Sequence, residues 1–97
     1  MVTYLYDMCV CSSDSEVVIA AEITDATGSR ITEGCALKLY DAYGNYIYTA
    51  YGDYELTGEW NFVIPYTVTG SLTAGKYLYC IEHEESEIQF RMPIYFI

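Results

Sequence analysis

The sequence predicts an all-β protein, two packed sheets or a barrel built from about seven short strands. Three observations predict it. Apolar and polar side chains alternate with period two in run after run. Turn residues interrupt these runs about every 8–12 residues. No stretch sustains a helical period, while β-branched and aromatic residues occur throughout.

Taken in order, the run from Val2 to Val10 is β-rich by composition, although its facing is ambiguous. Val17, Ile19, Ala21 and Ile23 alternate with Val18, Ala20, Glu22 and Thr24, which gives a strand one inward face. Cys35, Leu37 and Leu39 alternate with Ala36, Lys38 and Tyr40, and Tyr46–Tyr51 follows as a second β-rich run. Trp60, Phe62 and Ile64 alternate with Asn61 and Val63. Tyr77, Tyr79 and Ile81 alternate with Leu78, Cys80 and Glu82, and Ile88, Phe90 and Met92 with Gln89 and Arg91. Strands are therefore expected over 2–10, 16–24, 35–41, 46–51, 59–67, 75–83 and 87–96. Pro93 marks the last as an edge strand or the site of a bulge. Between the strands lie Ser12–Ser15, Thr27-Gly28-Ser29, Gly44-Asn45, Gly52-Asp53, Thr57-Gly58 and the stretch 69–75.

The segment DAYGNYIYTAYGDYE, Asp41–Glu55, writes an Ala-Tyr-Gly-(Asn/Asp)-Tyr cell twice. Each cell reads as a strand with its closing turn, because Gly44, Asn45 and Gly52 tolerate the positive φ of tight hairpins. Twelve tyrosines in 97 residues is heavy usage. A tyrosine ring packs on a pleated surface while its hydroxyl reaches water, so most of these rings read as architecture.

A chain of 97 residues makes one domain, 1–97, with 53 % apolar residues to fill a core. Fourteen acidic residues against four basic ones leave a net charge of −10. Arg30, Lys38, Lys76 and Arg91 are too few and too scattered to displace phosphate counterions, so neither nucleic acid nor an anionic membrane surface is an expected partner. The charge keeps a β-rich protein soluble and suits docking on a basic protein surface. No apolar run approaches the roughly 18 residues of a membrane helix, and Met1 is followed by no signal-peptide pattern. Synthesis in a cytoplasm without a signal peptide is expected, and with it free thiols at Cys9, Cys11, Cys35 and Cys80. The lone Cys9-Val10-Cys11 pair has no second knuckle to complete a zinc site.

The second half carries a resemblance. Gly58-Glu-Trp60-Asn-Phe62-Val-Ile64-Pro65, then Leu72-Thr-Ala-Gly75-Lys-Tyr77-Leu-Tyr79-Cys-Ile81, resembles the pattern of immunoglobulin-like domains in tailed-phage structural proteins. Baseplate upper protein N-terminal domains and head-decoration or fibre modules are the nearest of these. Leu37-Lys-Leu39-Tyr-Asp41-Ala-Tyr-Gly44-Asn45 resembles their hairpin, and the likeness spans roughly residues 35 to 96. It implies an immunoglobulin-like antiparallel sandwich, with Tyr77 returning its hydroxyl to the preceding loop as a tyrosine corner. Tyr79 stands where antibody-type domains place a cysteine, so no intersheet disulfide is expected, and Trp60, Phe62, Tyr77, Tyr79 and Phe90 must pack in its place. The resemblance implies a virion location and no shared catalytic site.

Tests for chemistry return little. His83 lies within Glu82–Glu87, which reads as a solvated acidic turn rather than as a general base and its partners. Neither that stretch nor Asp41, Asp53 and Glu55 has the spaced oxygen ligands of a calcium loop. Ser12, Ser13 and Ser15 have no histidine partner. No enzyme activity, metal or cofactor is expected. If Tyr77, Tyr79 and Ile81 face inward, an outer sheet face carries Tyr40, Tyr48, Leu78 and Cys80, a patch apolar enough to mark association. Those four are the expected partner-binding residues, towards capsid, fibre or baseplate proteins or a second copy of the chain. The hydrophobic C-terminal residues 94–97 are expected either to pair within the fold or to dock on a partner. The alternative function is a carbohydrate-binding or adhesin module in which Tyr43, Tyr46, Tyr51 and Tyr54 form a stacking platform.

Overall fold

The computed structural model describes residues 2–5, 8–12, 14–89 and 91–97, with the backbone alone for 2–5 and 8–10. The elements in order are β1 (Val2–Leu5), β2 (Met8–Cys11), β3 (Val17–Ala21), β4 (Cys35–Asp41), β5 (Tyr46–Tyr51), β6 (Asp53–Tyr54), β7 (Trp60–Ile64), the one-turn helix α1 (Tyr66–Thr69), β8 (Gly75–His83), β9 (Ser86–Glu87) and β10 (Met92–Phe96). One sheet runs β1-β2-β10-β8-β4-β5 with β9 paired to β8, and the other runs β3-β7-β6. The described pairings are antiparallel except that of β2 with β10. The protein is an all-β sandwich.

Period two decides which side chains meet between the sheets. Val17 and Ile19 of β3 and Trp60, Phe62 and Ile64 of β7 face Leu37 and Leu39 of β4, Tyr77, Tyr79 and Ile81 of β8, and Ile94 and Phe96 of β10. Trp60 and Phe62 stack with ring centroids 6.1 Å apart, and Tyr54 meets Trp60 edge-on at 5.6 Å. The buried indole N–H donates to the carbonyl of Ile31 at 2.7 Å, so its one polar atom is satisfied. Tyr77 packs edge-on to Phe96 at 5.4 Å and donates its hydroxyl to the carbonyl of Thr73 at 2.8 Å, the expected corner. Of the aromatic residues expected in the core, Phe90 lies outside the described residues.

No disulfide joins the sheets, for a topological reason. Cys9 and Cys11 are on β2, Cys35 on β4 and Cys80 on β8, all strands of the same sheet, and β3, β6 and β7 carry no cysteine. Cys35 and Cys80 are buried free thiols.

The expected strands over 35–41, 46–51 and 75–83 form with those bounds, and the others are corrected. The N-terminal run is two strands, β1 and β2, paired antiparallel with Leu5 opposite Met8. The strand expected over 59–67 stops at Ile64, where Pro65 leads into α1. The buried Thr69 hydroxyl at the end of α1 donates to the carbonyl of Ser15 at 2.9 Å and ties this connection to the approach to β3. The run 87–96 divides into β9 and β10, and β10 is no edge strand: it lies between β2 and β8. Pro93 pairs with Leu78 of β8, while the pairing to β2 begins one residue later at Ile94, so the ladder tolerates the missing N–H. With Ile94 and Phe96 in the core, the C-terminal residues pair within the fold rather than reaching for a partner.

Three hairpin turns share one plan. Asp25-Ala-Thr-Gly28-Ser29, Asp41-Ala-Tyr-Gly44-Asn45 and Glu55-Leu-Thr-Gly58-Glu59 each send the first residue's N–H to the fifth residue's carbonyl and the glycine N–H back to the first carbonyl. The glycines have φ of 87°, 88° and 90°, the left-handed step that closes a three-residue loop. Gly52 works differently and corrects the reading of the repeated cell. It makes no turn of this kind; it carries the chain from β5 in one sheet to β6 in the other, and a Cβ there would lie 2.5 Å from the Phe62 ring and 2.7 Å from the Trp60 ring. The second glycine of the repeat is needed for closeness.

Candidate functional site

The outer face of the larger sheet is built by β5, β4 and β8, side by side. Its residues follow from register. On β5, Tyr51 lies opposite Ala36, Thr49 opposite Lys38 and Tyr46 opposite Tyr40, whereas Tyr48 and Ala50 lie opposite the inward Leu39 and Leu37. Tyr46 and Tyr48 are two residues apart yet belong to different faces. The register shifts between Leu39 and Tyr40, leaving Ile47 as the extra residue of a β-bulge, and the bulge reverses the facing of everything before it.

This separates the four expected contact residues. Tyr48 is half-buried on the inner face, packed against the core. Tyr40 and Cys80 do face outward but are covered by the chain itself. The Arg91 guanidinium carbon sits 3.8 Å from the Tyr40 ring centroid, and its Nε donates to Glu87 Oε1 at 3.3 Å. The Cys80 thiol donates to the same Glu87 oxygen at 3.4 Å. Leu78, opposite Tyr40 on one side and Pro93 on the other, is half-buried. Burial, with Glu87 adding to it, pushes the Cys80 thiol up to about 11, and burial also raises Cys35, so both are protonated at neutral pH and unsuited to nucleophilic work.

What stands open is the neighbouring part of the same face. Tyr46 and Tyr51, 60 % and 82 % exposed, form one wall of a groove of about 770 Å³. The other wall is Glu84 and Glu85, at the turn between β8 and β9. Ala36, Lys38 and Glu82 make the floor. Lys38 Nζ lies 3.1 Å from the carboxylate of Glu82, which is only 7 % exposed, and that contact holds the ammonium above the ordinary lysine range. Tyr46 is braced by a 2.8 Å hydroxyl–hydroxyl bond to Thr49. Glu84 and Glu85 form a two-residue hairpin with φ of 50° and 70°, anchored by the Glu84 N–H on the carbonyl of Gly34 at 3.0 Å. Sequence reasoning placed Tyr46 and Tyr51 in the sugar-platform reading and Glu84 and Glu85 in a solvated turn. Nothing in the linear pattern brings them together, because the antiparallel return of β8 beside β4 does.

The four tyrosines of the platform reading are dispersed. Tyr43, 92 % exposed, lies in the β4–β5 turn by a different depression, with Leu72 and Ala74. Tyr54 packs on Trp60, at the smaller sheet. Only Tyr46 and Tyr51 share a site. The calcium candidates part in the same way: Asp41 spends both oxygens on its own turn, accepting from the N–H groups of Tyr43 and Asn45 and the Asn45 side-chain amide, while Glu55 accepts from the Asn61 side chain. Among the described residues no three His, Cys, Asp or Glu side chains are gathered as for a metal ion. His83 pairs with Ser86 across the hairpin, and its Nε2 lies 3.9 Å from Glu84 Oε1. No described helix is long and apolar enough to cross a membrane. Comparison with protein-family models, with curated proteins and with solved structures finds no match to this chain.

Proposed function

We propose that this chain is a non-enzymatic structural protein of a phage virion, a capsid-decoration, head-fibre or baseplate component that acts through contacts with other virion proteins. On this reading it is made in the host cytoplasm without a signal peptide and resides in the particle. The strand plan supports an immunoglobulin-like subdivision of the sandwich. The pairing β3-β7-β6 matches the order B-E-D, β10-β8-β4-β5 matches G-F-C-C′, and Tyr77 occupies the corner position of strand F.

The observation that carries the contact reading is the exposure of Tyr46 and Tyr51 on a rigid sheet face. Large rings held out in water by a two-sheet scaffold are the anchors that protein interfaces use, since they offer area at small entropic cost. The acidic wall beside them favours a basic counterpart. The test is mass analysis of purified particles together with co-sedimentation of the isolated protein. The chain is expected in the particle in fixed proportion to its neighbours. Absence from particles, combined with saturable binding on a glycan array, would overturn the proposal in favour of the carbohydrate reading.

A further inference from the structure

Arg91 demonstrates how this sheet face holds a cation. The Tyr40 ring lies against one side of its guanidinium at 3.8 Å, and the Glu87 carboxylate takes its Nε at 3.3 Å. The adjacent groove has the same two kinds of partner on its walls, Tyr46 and Tyr51 on one and Glu84 and Glu85 on the other, with Lys38 on the floor between them. Lys38, the one cation among the described residues lining it, is taken up by Glu82 at 3.1 Å. The groove therefore presents two carboxylates and the 82 % exposed Tyr51 ring beyond its internal ion pair, in a chain of net charge −10.

We infer that this groove receives an arginine side chain carried by a segment of a partner protein, its guanidinium laid on the Tyr51 ring, at the end of β5 level with Glu82, and its N–H groups turned to Glu84 and Glu85. The inference rests on the protein-contact reading above and names its chemistry. Arginine fits better than lysine for two reasons. Its flat, weakly hydrated guanidinium stacks on an aromatic face, and its fork of donors reaches a carboxylate while the stacking persists. An ammonium satisfies either partner but is too compact and too strongly hydrated to hold both. The excess negative charge of the whole chain adds long-range attraction for such a segment.

The probe is a soluble peptide of alternating glycine and arginine, set against its lysine and glutamine counterparts and titrated into the full chain by calorimetry at low and physiological salt. Saturable binding is expected for the arginine peptide, tighter than for lysine, and weaker as salt rises. Tyr51→Ala and Glu85→Gln are each expected to weaken it about threefold, the scale of an exposed cation–π contact. Both side chains are exposed, so thermal melts serve to verify folding. Glu59→Gln, a carboxylate outside the groove, is expected to leave binding unchanged. Equal affinity for the arginine and lysine peptides, an equal loss in Glu59→Gln, or no binding at all overturns the inference. Particle co-sedimentation of the wild-type chain separates the two levels. Association with particles without arginine-peptide binding removes the groove and leaves the structural reading standing, and the reverse result removes the structural reading alone.

Discussion

Asp25 and Asp41 show how a single carboxylate organises a turn. Each Oδ1 accepts the N–H groups two and four residues on, and further bonds come from the Thr27 hydroxyl and the Asn45 side-chain amide. Those side-chain bonds, followed by the backbone ones, hold both carboxyls below the ordinary aspartate value of 3.8. A depressed folded-state pKa contributes stability that is present above the unfolded value and lost as pH falls through the folded one. Asp41→Ala is therefore expected to melt below wild type at pH 7, with the gap closing on acidification below about pH 4. A gap of constant size down to pH 2 in thermal melts would show that the charge is not what matters. Gly52 makes the complementary point about size. The Trp60 and Phe62 rings leave no room for a methyl group, so Gly52→Ala must displace a buried ring or the crossing backbone, a cost of about 2–3 kcal/mol of overpacking. Chemical denaturation measures it, and an unchanged midpoint would refute the steric account.

Among the elements, the β8–β9 hairpin is built against its own sequence. A two-residue hairpin turn of type I′ needs positive φ at both central positions and favours Asn-Gly, yet this one uses Glu84 and Glu85 at 50° and 70°. Left-handed backbone costs a residue with a Cβ about 1–2 kcal/mol. Glycine recovers that at the expense of roughly 0.5–1 kcal/mol of unfolded-state entropy. Glu84→Asn with Glu85→Gly should thus stabilise the protein by about 1 kcal/mol, visible as a higher denaturation midpoint. The same double change should weaken arginine-peptide binding.

At the scale of the molecule, aromatic packing rather than a disulfide joins the two sheets. Trp60 and Phe62 from one sheet and Tyr77 and Phe96 from the other lie within the core, and Cys35 and Cys80 stay as buried thiols on the larger sheet. Iodoacetamide at pH 8 followed by peptide mapping should find Cys35 and Cys80 unmodified in the folded protein and alkylated in guanidinium chloride. Modification of Cys80 at the rate of a free thiol in the native state would contradict its place beneath Arg91 and Glu87.

How much of this was legible depends on how local each cause is. Alternation set which faces of β3, β4, β7 and β8 turn inward, so Val17, Leu37, Phe62 and Tyr79 could be placed in the core from their spacing alone, whereas the gathering of every cysteine on one sheet is visible only in the strand order. Pro93 could be read through its chemistry but not its neighbours: whether a strand is an edge depends on what pairs beside it, and β2 supplies the partner that the sequence does not display. The same limit governs the candidate site. Period two carries no record of the bulge at Ile47, so it could not tell that Tyr48 turns inward while Tyr46 turns out. Long-range packing decided what lies over Tyr40 and Cys80, and it alone set Glu84 and Glu85 across from Tyr46 and Tyr51. Side-chain periodicity is a property of neighbours along the chain and survives in the sequence. A surface assembled from β5, β8 and the turn beyond it exists only once strands distant in sequence have paired.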